Sequence, residues 1–271
     1  MESVILTSRT HAMNIKLIVF DWAGTLIDFG CRAPLGAFVD AFAAAGLPIS
    51  EEVARKPMGA HKRDHAREIL HEPDIAARVR HDLHREPDES LVNEIYGDFT
   101  ARLLKVLPAH TAPIPGAVEM IAALREQGIA IGSTTGYTRL MMDIVEPLVR
   151  VAGIAPDALI CADEVPQARP APWACFRLAE RFNAYPMSCC VKVGDTPADM
   201  AEGVNAGMVT IGVSETGNEV GLSEEAFSAL PEGERSEHVA AAARRLTDAG
   251  ANFVLRSVGE LPAWLYRRQS K

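Results

Sequence analysis

Two carboxylates stand directly after short apolar runs. Asp21 follows the run at residues 17–20, and Asp195 follows the run at residues 190–194, in which only Lys192 is charged. A nearly continuous apolar run is typical of a strand in a parallel sheet that is covered on both faces. Because reactive groups gather at the carboxyl ends of such strands, we expect these side chains to share a site. Taken alone, Asp21 could equally be a strand-ending carboxylate that caps the next helix.

Two further segments carry groups that can hold an anion. Residues 132–138 (Gly-Ser-Thr-Thr-Gly-Tyr-Thr) close another apolar run and offer the Thr135 hydroxyl and the Gly136 amide, with an ordinary turn as the alternative. Arg169, which precedes a proline, offers a cation. A nucleophilic carboxylate, an anion cradle, a cation and a metal-binding acid are together what phosphoryl transfer to a carboxylate requires.

In this order, the segments resemble the four motifs of the haloacid dehalogenase superfamily of phosphotransferases. The resemblance implies that Asp21 is the nucleophile. It also implies that Mg²⁺ is bound by Asp21, Asp195 and the backbone carbonyl of Ala23. Asp199 would either orient this metal site or cap the helix that follows.

One departure from the superfamily pattern points to a particular family within the superfamily. Two residues after the nucleophile, most phosphatases carry an aspartate that protonates the leaving oxygen, and here that residue is Ala23. Residues 54–65 (Ala-Arg-Lys-Pro-Met-Gly-Ala-His-Lys-Arg-Asp-His), together with Asp-Trp-Ala-Gly-Thr at 21–25, resemble the phosphonoacetaldehyde hydrolases, or phosphonatases. The resemblance extends over nearly the whole chain, and Arg-Pro at 169–170 matches it. In that family a lysine, here Lys62, forms a Schiff base with the substrate aldehyde.

The resemblance implies hydrolysis of the carbon–phosphorus bond of phosphonoacetaldehyde to acetaldehyde and phosphate. The reaction would pass through a Schiff base at Lys62 and an aspartyl phosphate at Asp21. Ala23 fits this chemistry, because the leaving atom is carbon rather than oxygen. A Mg²⁺-dependent phosphatase or phosphomutase acting on a small phosphate ester is the alternative, although it normally needs the missing acid. A non-catalytic binding protein would also tolerate Ala23 but has no need of the other charged groups.

Further pocket residues are expected around Lys62. A helix beginning at Pro57 would place Met58, Lys62 and His65 on one face. In isolation, Lys62 and His65 would be read as surface side chains. His61 and His65 are also spaced as a helical zinc-binding pair, but no third ligand is evident.

The resemblance assigns five further residues to the substrate site. Thr135 and Gly136 would hold a phosphonate oxygen, and Arg169 would balance the charges of the phosphonate and the carboxylates. Tyr137 and Cys31 match positions that line the family's pocket.

The elements that must position these groups follow an α/β pattern with one interruption. Strand–helix alternation from residue 115 onward predicts a Rossmann-like parallel sheet core with helices on both faces. Residues 31–112 have helical spacing throughout and predict an inserted all-helical cap domain. The predicted division is therefore core at 1–30, cap at 31–112 and core at 113–271, with a polar surface loop that contains one short helix at 212–233. Strands are predicted around Ile131, Leu159, Val191, Ile211 and Val254, and helices at 34–46, 57–70, 89–107, 116–127, 137–150, 172–182, 197–206 and 236–249.

Composition restricts the partners and the compartment. The net charge of −9 argues against nucleic acid or an anionic membrane as a partner. The five cysteines show no paired spacing, which fits a reducing cytosol, so we expect a cytoplasmic protein. Residues 1–14 contain only the apolar run at 4–6, too short for a signal peptide, and are interpreted as an extension, with Met13 as an alternative start. A homodimer through the cap is implied by the resemblance alone.

Overall fold

The core of the protein is a six-stranded, fully parallel sheet. A computed structural model describes residues 14–269, so the predicted extension and the alternative start at Met13 lie outside the described residues. The sheet has the strand order β3-β2-β1-β4-β5-β6. The strands are β1 (Leu17–Phe20), β2 (Ala130–Thr134), β3 (Ala158–Ile160), β4 (Cys190–Gly194), β5 (Val209–Val213) and β6 (Phe253–Leu255). Each predicted strand position is confirmed.

The central strand β1 explains why the sheet is covered on both faces. Its four residues are all buried. Because successive side chains of a strand point to opposite faces, Ile18 and Phe20 join one apolar core, while Leu17 and Val19 join a second. The predicted α/β architecture is thus confirmed.

Twelve α-helices are present among the described residues, and five of them lie between β1 and β2 in the chain. These five are α1 (Arg32–Ala44), α2 (Glu51–Arg55), α3 (Lys62–His71), α4 (Pro73–Asp82) and α5 (Glu89–Val106). The other seven are α6 (Ala117–Glu126), α7 (Arg139–Val151), α8 (Trp173–Arg181), α9 (Pro197–Asn205), α10 (Glu224–Ala229), α11 (Glu232–Asp248) and α12 (Leu261–Gln269). No helix in this described part of the chain combines the length and the apolar character needed to cross a membrane.

The helix predicted to begin at Pro57 begins instead at Lys62, so this prediction was wrong. Gly59 has φ of +90°, which breaks the helical path after α2. His61 then caps α3, because its side chain accepts a hydrogen bond from the Arg63 N–H. Met58 therefore lies in the turn before α3 rather than on the same helix as Lys62.

The chain enters and leaves the five-helix insertion along two adjacent segments. The Asp28 N–H donates to the Ala112 carbonyl at 3.2 Å, and the Ile114 N–H donates to the Leu26 carbonyl at 2.9 Å. Ile27 and Pro113 form an antiparallel bridge between these bonds. We call these two segments, residues 26–28 and 112–114, the paired connections. The division at 30/31 and 112/113 remains a prediction: the first boundary lies two residues after one of these segments, and the second lies within the other.

Candidate active site

Asp21 lies where β1 ends, next to the neighbouring strand β4. Its side chain is buried, and its N–H donates to the Val193 carbonyl at 2.9 Å. The chain then turns tightly at Gly24, which has φ of +84°. A Cβ on Gly24 would lie 2.3 Å from Asp195 Oδ2, so this turn brings the backbone of the Asp21 loop against the second carboxylate.

Three carboxylates converge beside this turn. Oxygens of Asp21, Asp195 and Asp199 all lie within 4.8 Å of one another. Asp195 is held by the Thr25 hydroxyl and by the Asn218 N–H, each at 2.8 Å. Burial, together with the negative charges of Asp21 and Asp199, raises the pKa of Asp195 well above its usual value. A divalent cation would relieve this repulsion.

The donor atoms at this point suit a hard cation such as Mg²⁺, which prefers oxygen ligands. Cys31 Sγ lies 3.1 Å from the Ala23 carbonyl oxygen and 3.3 Å from Asp195 Oδ2. The Cys31 thiol therefore contacts both the backbone oxygen and the carboxylate oxygen that the family resemblance assigned to the metal. The residues fit the predicted ion, with Asp21, Asp195 and Ala23 as the groups that would hold it.

Both carboxylate oxygens of Asp199 lie close to polar side chains. Its Oδ1 lies 2.8 Å from Arg169 Nη1 and 3.0 Å from Lys192 Nζ, and its Oδ2 accepts the Thr196 hydroxyl at 2.6 Å. Although burial opposes ionisation, the two cations lower the pKa of Asp199. Thr196 and Asp199 also form a capping box at the start of α9. Asp199 thus caps a helix and orients the cations of the site.

Arg169 connects the nucleophile to this buried charge network. Its guanidinium lies 2.8 Å from Asp21 Oδ1 and 2.9 Å from Glu202 Oε2, and it donates to the Thr134 carbonyl at 2.7 Å. Burial raises the pKa of Asp21, and the Arg169 charge acts in the opposite direction. The arginine is therefore oriented from several sides.

Lys192 and Glu202 were missed as site residues by the sequence analysis. Lys192 Nζ lies 2.9 Å from Glu202 Oε2 and 2.8 Å from Thr134 Oγ1, and both charged side chains are fully buried. A sequence signal existed, because a lysine in the middle of an otherwise apolar strand needs a buried partner. Glu202 lies three residues after Asp199 on α9, on the same helical face.

Lys62 is the first residue of α3, and its side chain is only 3% exposed. Its Nζ lies 3.7 Å from Met58 Sδ and 5.5 Å from the centre of the Tyr137 ring. Burial lowers the pKa of Lys62 to about 8. The partial positive charge at a helix N-terminus also disfavours an ammonium. The neutral amine is therefore far more accessible than in a solvated lysine.

One pocket brings Lys62 and Asp21 together with most of the predicted residues. Gly59 and Thr196, which were not predicted, also line it. A Cβ on Gly136 would lie 2.6 Å from the Ala60 carbonyl oxygen, so the turn before α3 packs directly against the anion cradle. The predicted residues that line the pocket are Asp21, Ala23, Cys31, Met58, Lys62, Thr135, Gly136, Tyr137 and Arg169.

His65 does not line this pocket, which corrects its predicted placement. Its ring stacks on Phe38 with centroids 3.9 Å apart, and its Nε2 lies 2.8 Å from the Ala54 carbonyl oxygen. Burial, reinforced by the Lys62 charge, lowers the pKa of His65 well below its usual value, so it is neutral. His61 is used in the cap of α3, and the three aspartates form the only metal-binding group found in the described residues. The zinc alternative therefore has no support.

The segment at 212–233, predicted as a surface loop with one short helix, does contain the helix α10, but its residues 216–218 are buried beside Asp195 rather than exposed. Thr216 and Asn218 are buried, and the Thr216 hydroxyl donates to the Gly24 carbonyl at 2.7 Å. A Cβ on Gly217 would lie 2.2 Å from Asp195 Cβ. We call residues 216–221 the covering loop. Its polar composition reflects contacts with buried carboxylates and carbonyls rather than with water.

Comparison with known proteins agrees with this geometry. Residues 15–207 match the family model described as haloacid dehalogenase-like hydrolase. The chain is 44% identical over 255 residues to the phosphonoacetaldehyde hydrolase of Bacillus thuringiensis strain Al Hakam, covering 94% of this chain and 97% of that protein. It is also 44% identical over 249 residues to the phosphonoacetaldehyde hydrolase of Bacillus cereus, covering 92% of this chain and 94% of that protein.

Solved structures extend the comparison. The crystal structure of a phosphonoacetaldehyde hydrolase-like protein from Oleispira antarctica matches with a TM-score of 0.92 and 33% identity, covering 96% of this chain and 94% of that chain. A putative β-phosphoglucomutase from Bacteroides vulgatus, with 18% identity and a TM-score of 0.67, covers 96% of this chain and 93% of that chain and shares the fold. From its extended match to curated relatives and its family model, the chain belongs to the phosphonoacetaldehyde hydrolase family of haloacid dehalogenase-like hydrolases.

Proposed function

We propose that this protein is an enzyme that hydrolyses the carbon–phosphorus bond of phosphonoacetaldehyde to acetaldehyde and phosphate. The names of the relatives at 44% identity support this substrate. The observation that carries the proposal is the buried Lys62 in the same pocket as Asp21, with its pKa lowered to about 8. That pair supplies an amine for the aldehyde and a carboxylate for phosphorus.

The amine acts first in the proposed sequence. Neutral Lys62 attacks the aldehyde carbon, water leaves, and the protonated imine forms. When the carbon–phosphorus bond breaks, its electron pair moves onto carbon and is drawn to the iminium nitrogen, which gives an enamine. Protonation of the enamine carbon and hydrolysis of the resulting imine release acetaldehyde and regenerate the amine. The step needs no acid at position 23, which agrees with Ala23.

The carboxylate accepts the phosphoryl group. Asp21 attacks phosphorus in line with the departing carbon and forms an aspartyl phosphate, which water then hydrolyses to phosphate. Arg169 balances the charge of the transferred group, and the Thr135 hydroxyl and Gly136 amide hold its oxygens. Mg²⁺, held by Asp21, Asp195 and the Ala23 carbonyl, would supply the positive charge that lets one anion approach another.

The substrate is tested by measuring phosphate release from phosphonoacetaldehyde beside a panel of small phosphate esters. We expect release from the phosphonate and little from the esters, because no acid stands ready for a leaving oxygen. Rapid ester hydrolysis with an inert phosphonate would favour the alternative phosphatase or phosphomutase. Inertness toward every compound would favour a binding protein.

The Schiff base is tested by reductive trapping. Borohydride added with acetaldehyde should inactivate the enzyme irreversibly, and peptide mass mapping should place the adduct on Lys62. Lys62→Arg should abolish both trapping and turnover, since a guanidinium cannot form the imine. Lys56→Arg is the matched control, because the Lys56 side chain is 53% exposed and paired with Glu72. An adduct at Lys56 would keep the mechanism and move the residue, whereas turnover without trapping would exclude the Schiff base.

A homodimer through the cap and a cytoplasmic location complete the proposal. The homodimer rests on the family resemblance, and the cytoplasmic location rests on the five free cysteines, which are consistent with a reducing compartment. Sedimentation at several protein concentrations would test the dimer.

A further inference from the structure

Arg55, the last residue of α2, connects the helical insertion to the covering loop. Its Nη1 donates to the Gly30 carbonyl at 2.9 Å and to Asn218 Oδ1 at 3.1 Å, and its Nη2 donates to the Gly221 carbonyl at 2.5 Å. The side chain is only 14% exposed. A surface arginine paired with water would not be held in this way.

The contact between Arg55 and Asn218 is reciprocal and leads to the metal-binding carboxylate. Asn218 Nδ2 returns a bond to the Arg55 carbonyl at 3.4 Å. The N–H of the same Asn218 donates to Asp195 Oδ2 at 2.8 Å. Two consecutive hydrogen bonds therefore run from the helical insertion to Asp195.

The covering loop also packs closely against the Arg55 side chain. Gly221 has φ of +72°, and a Cβ there would lie 2.7 Å from Arg55 Cζ. Thr216, at the start of the covering loop, accepts the Gly30 N–H through its carbonyl at 2.8 Å. The loop is thus fixed between the connection into the insertion and Arg55.

We propose that Arg55 is a positioning residue that couples two things: the packing of the helical insertion against the covering loop, which we call the seated insertion, and the orientation of Asp195 for Mg²⁺ binding. The proposal rests on the Mg²⁺ site of the proposed function. Only six residues lie between Arg55 and Lys62 in the chain, so one contact secures the segment that carries the imine-forming amine and the loop that orients Asp195. Coupling between two sites is reciprocal, so Mg²⁺ binding must in turn favour the seated insertion.

The proposal is tested by calorimetric titration of Mg²⁺ into the full-length enzyme, with and without inorganic phosphate. Arg55→Met removes the donors and keeps a long side chain, and Asn218→Ala removes the acceptor at the other end while keeping the backbone N–H. We expect each to weaken Mg²⁺ binding by about tenfold, as loss of an outer-shell partner does. We also expect the double variant to be no worse than the more affected single one, because the contact between Arg55 and Asn218 is being removed twice.

The control is Arg78→Met, since Arg78 donates to the Pro48 carbonyl within the helical insertion and should leave the Mg²⁺ affinity unchanged. Arg55→Lys keeps the charge without the forked donor set and should recover only part of the affinity. Parent-like Mg²⁺ affinity in both Arg55→Met and Asn218→Ala, or additive losses in the double variant, would overturn the coupling. A parent enzyme that binds no Mg²⁺ would instead overturn the metal site of the proposed function.

Discussion

In the proposed mechanism, the protonation of Lys62 controls how fast an imine can form. Its pKa is lowered to about 8 by burial, so acidification below that value converts the amine to the unreactive ammonium. We expect trapping by cyanoborohydride and acetaldehyde to slow roughly tenfold for each pH unit below the midpoint and to level off above it. The measurement is the rate of adduct formation at Lys62 across this range. A midpoint near the ordinary lysine value of about 10.4 would contradict the effect of burial.

Asp21→Asn tests the nucleophile without a large change in shape. The amide is a far poorer nucleophile than a carboxylate, and Arg169 keeps its contacts with Asp199 and Glu202. We therefore expect loss of phosphate release with an unchanged circular dichroism spectrum. Asp40→Asn is the control, because the Asp40 side chain is 66% exposed. Turnover at about a tenth of the parent rate would mean that the nucleophile lies elsewhere.

The buried pair of Lys192 and Glu202 leads us to a prediction about stability. Lys192→Met leaves Glu202 and Asp199 with one fewer cation in a fully buried network. We expect a loss of about 3 to 5 kcal/mol in the free energy of unfolding, measured by denaturant titration. Adding Glu202→Leu to this variant should recover part of the loss, because the uncompensated carboxylate is then removed. A single variant as stable as the parent would show that Arg169 alone suffices.

At the scale of elements, the contact between the turn before α3 and the anion cradle can be tested at one glycine. A Cβ on Gly136 would meet the carbonyl oxygens of Ala60 and Gly59 at 2.6 and 2.9 Å. Gly136→Ala should therefore displace the segment carrying Lys62 and lower kcat/KM by roughly a hundredfold. A Cβ on Gly97 in α5 would have no described neighbour within 4 Å outside its own helix turn, so Gly97→Ala serves as the control. Equal kinetics in the two variants would show that this packing does not matter for turnover.

The sequence predicted the strand ends better than the helical insertion, for a physical reason. Asp21 and Asp195 follow apolar runs whose period and length are local properties, so their common position at one sheet edge follows from the parallel order. Met58 and His65 depend on where α3 begins, and that is decided by the backbone of Gly59 and the cap at His61. Local spacing does not reveal those two features.

Contacts between residues that are far apart in the chain could not be predicted from the sequence either. The covering loop was interpreted as solvent-exposed because Thr216 and Asn218 are polar, whereas their partners are buried atoms of Gly24 and Asp195. Those partners come from distant parts of the chain. Polarity alone does not distinguish a residue that faces water from one that satisfies a buried group.

At the scale of the whole molecule, the proposed Mg²⁺ site in the carboxylate cluster would link metal binding to stability. Mg²⁺ would bind the folded arrangement of Asp21 and Asp195 and not the unfolded chain, so it stabilises by mass action, by about 2.7 kcal/mol at a hundred times its Kd. We expect Mg²⁺ to raise Tm, and chelation to lower it and abolish phosphate release. Asp195→Asn should lose the shift in Tm. Full activity in metal-free enzyme would contradict the assignment of the site.

The paired connections have a consequence for how the chain can be altered. Because Leu26 and Asp28 bond to Ile114 and Ala112, the insertion departs from the core and returns to it at one place. A segment whose ends meet can be replaced by another of different length without disturbing what lies on either side. In the proposed mechanism, the sheet carries the carboxylate that accepts the phosphoryl group, and the helical insertion with Lys62 determines which bond is broken. Grafting that insertion onto a related sheet is thus a route to transplanting carbon–phosphorus chemistry.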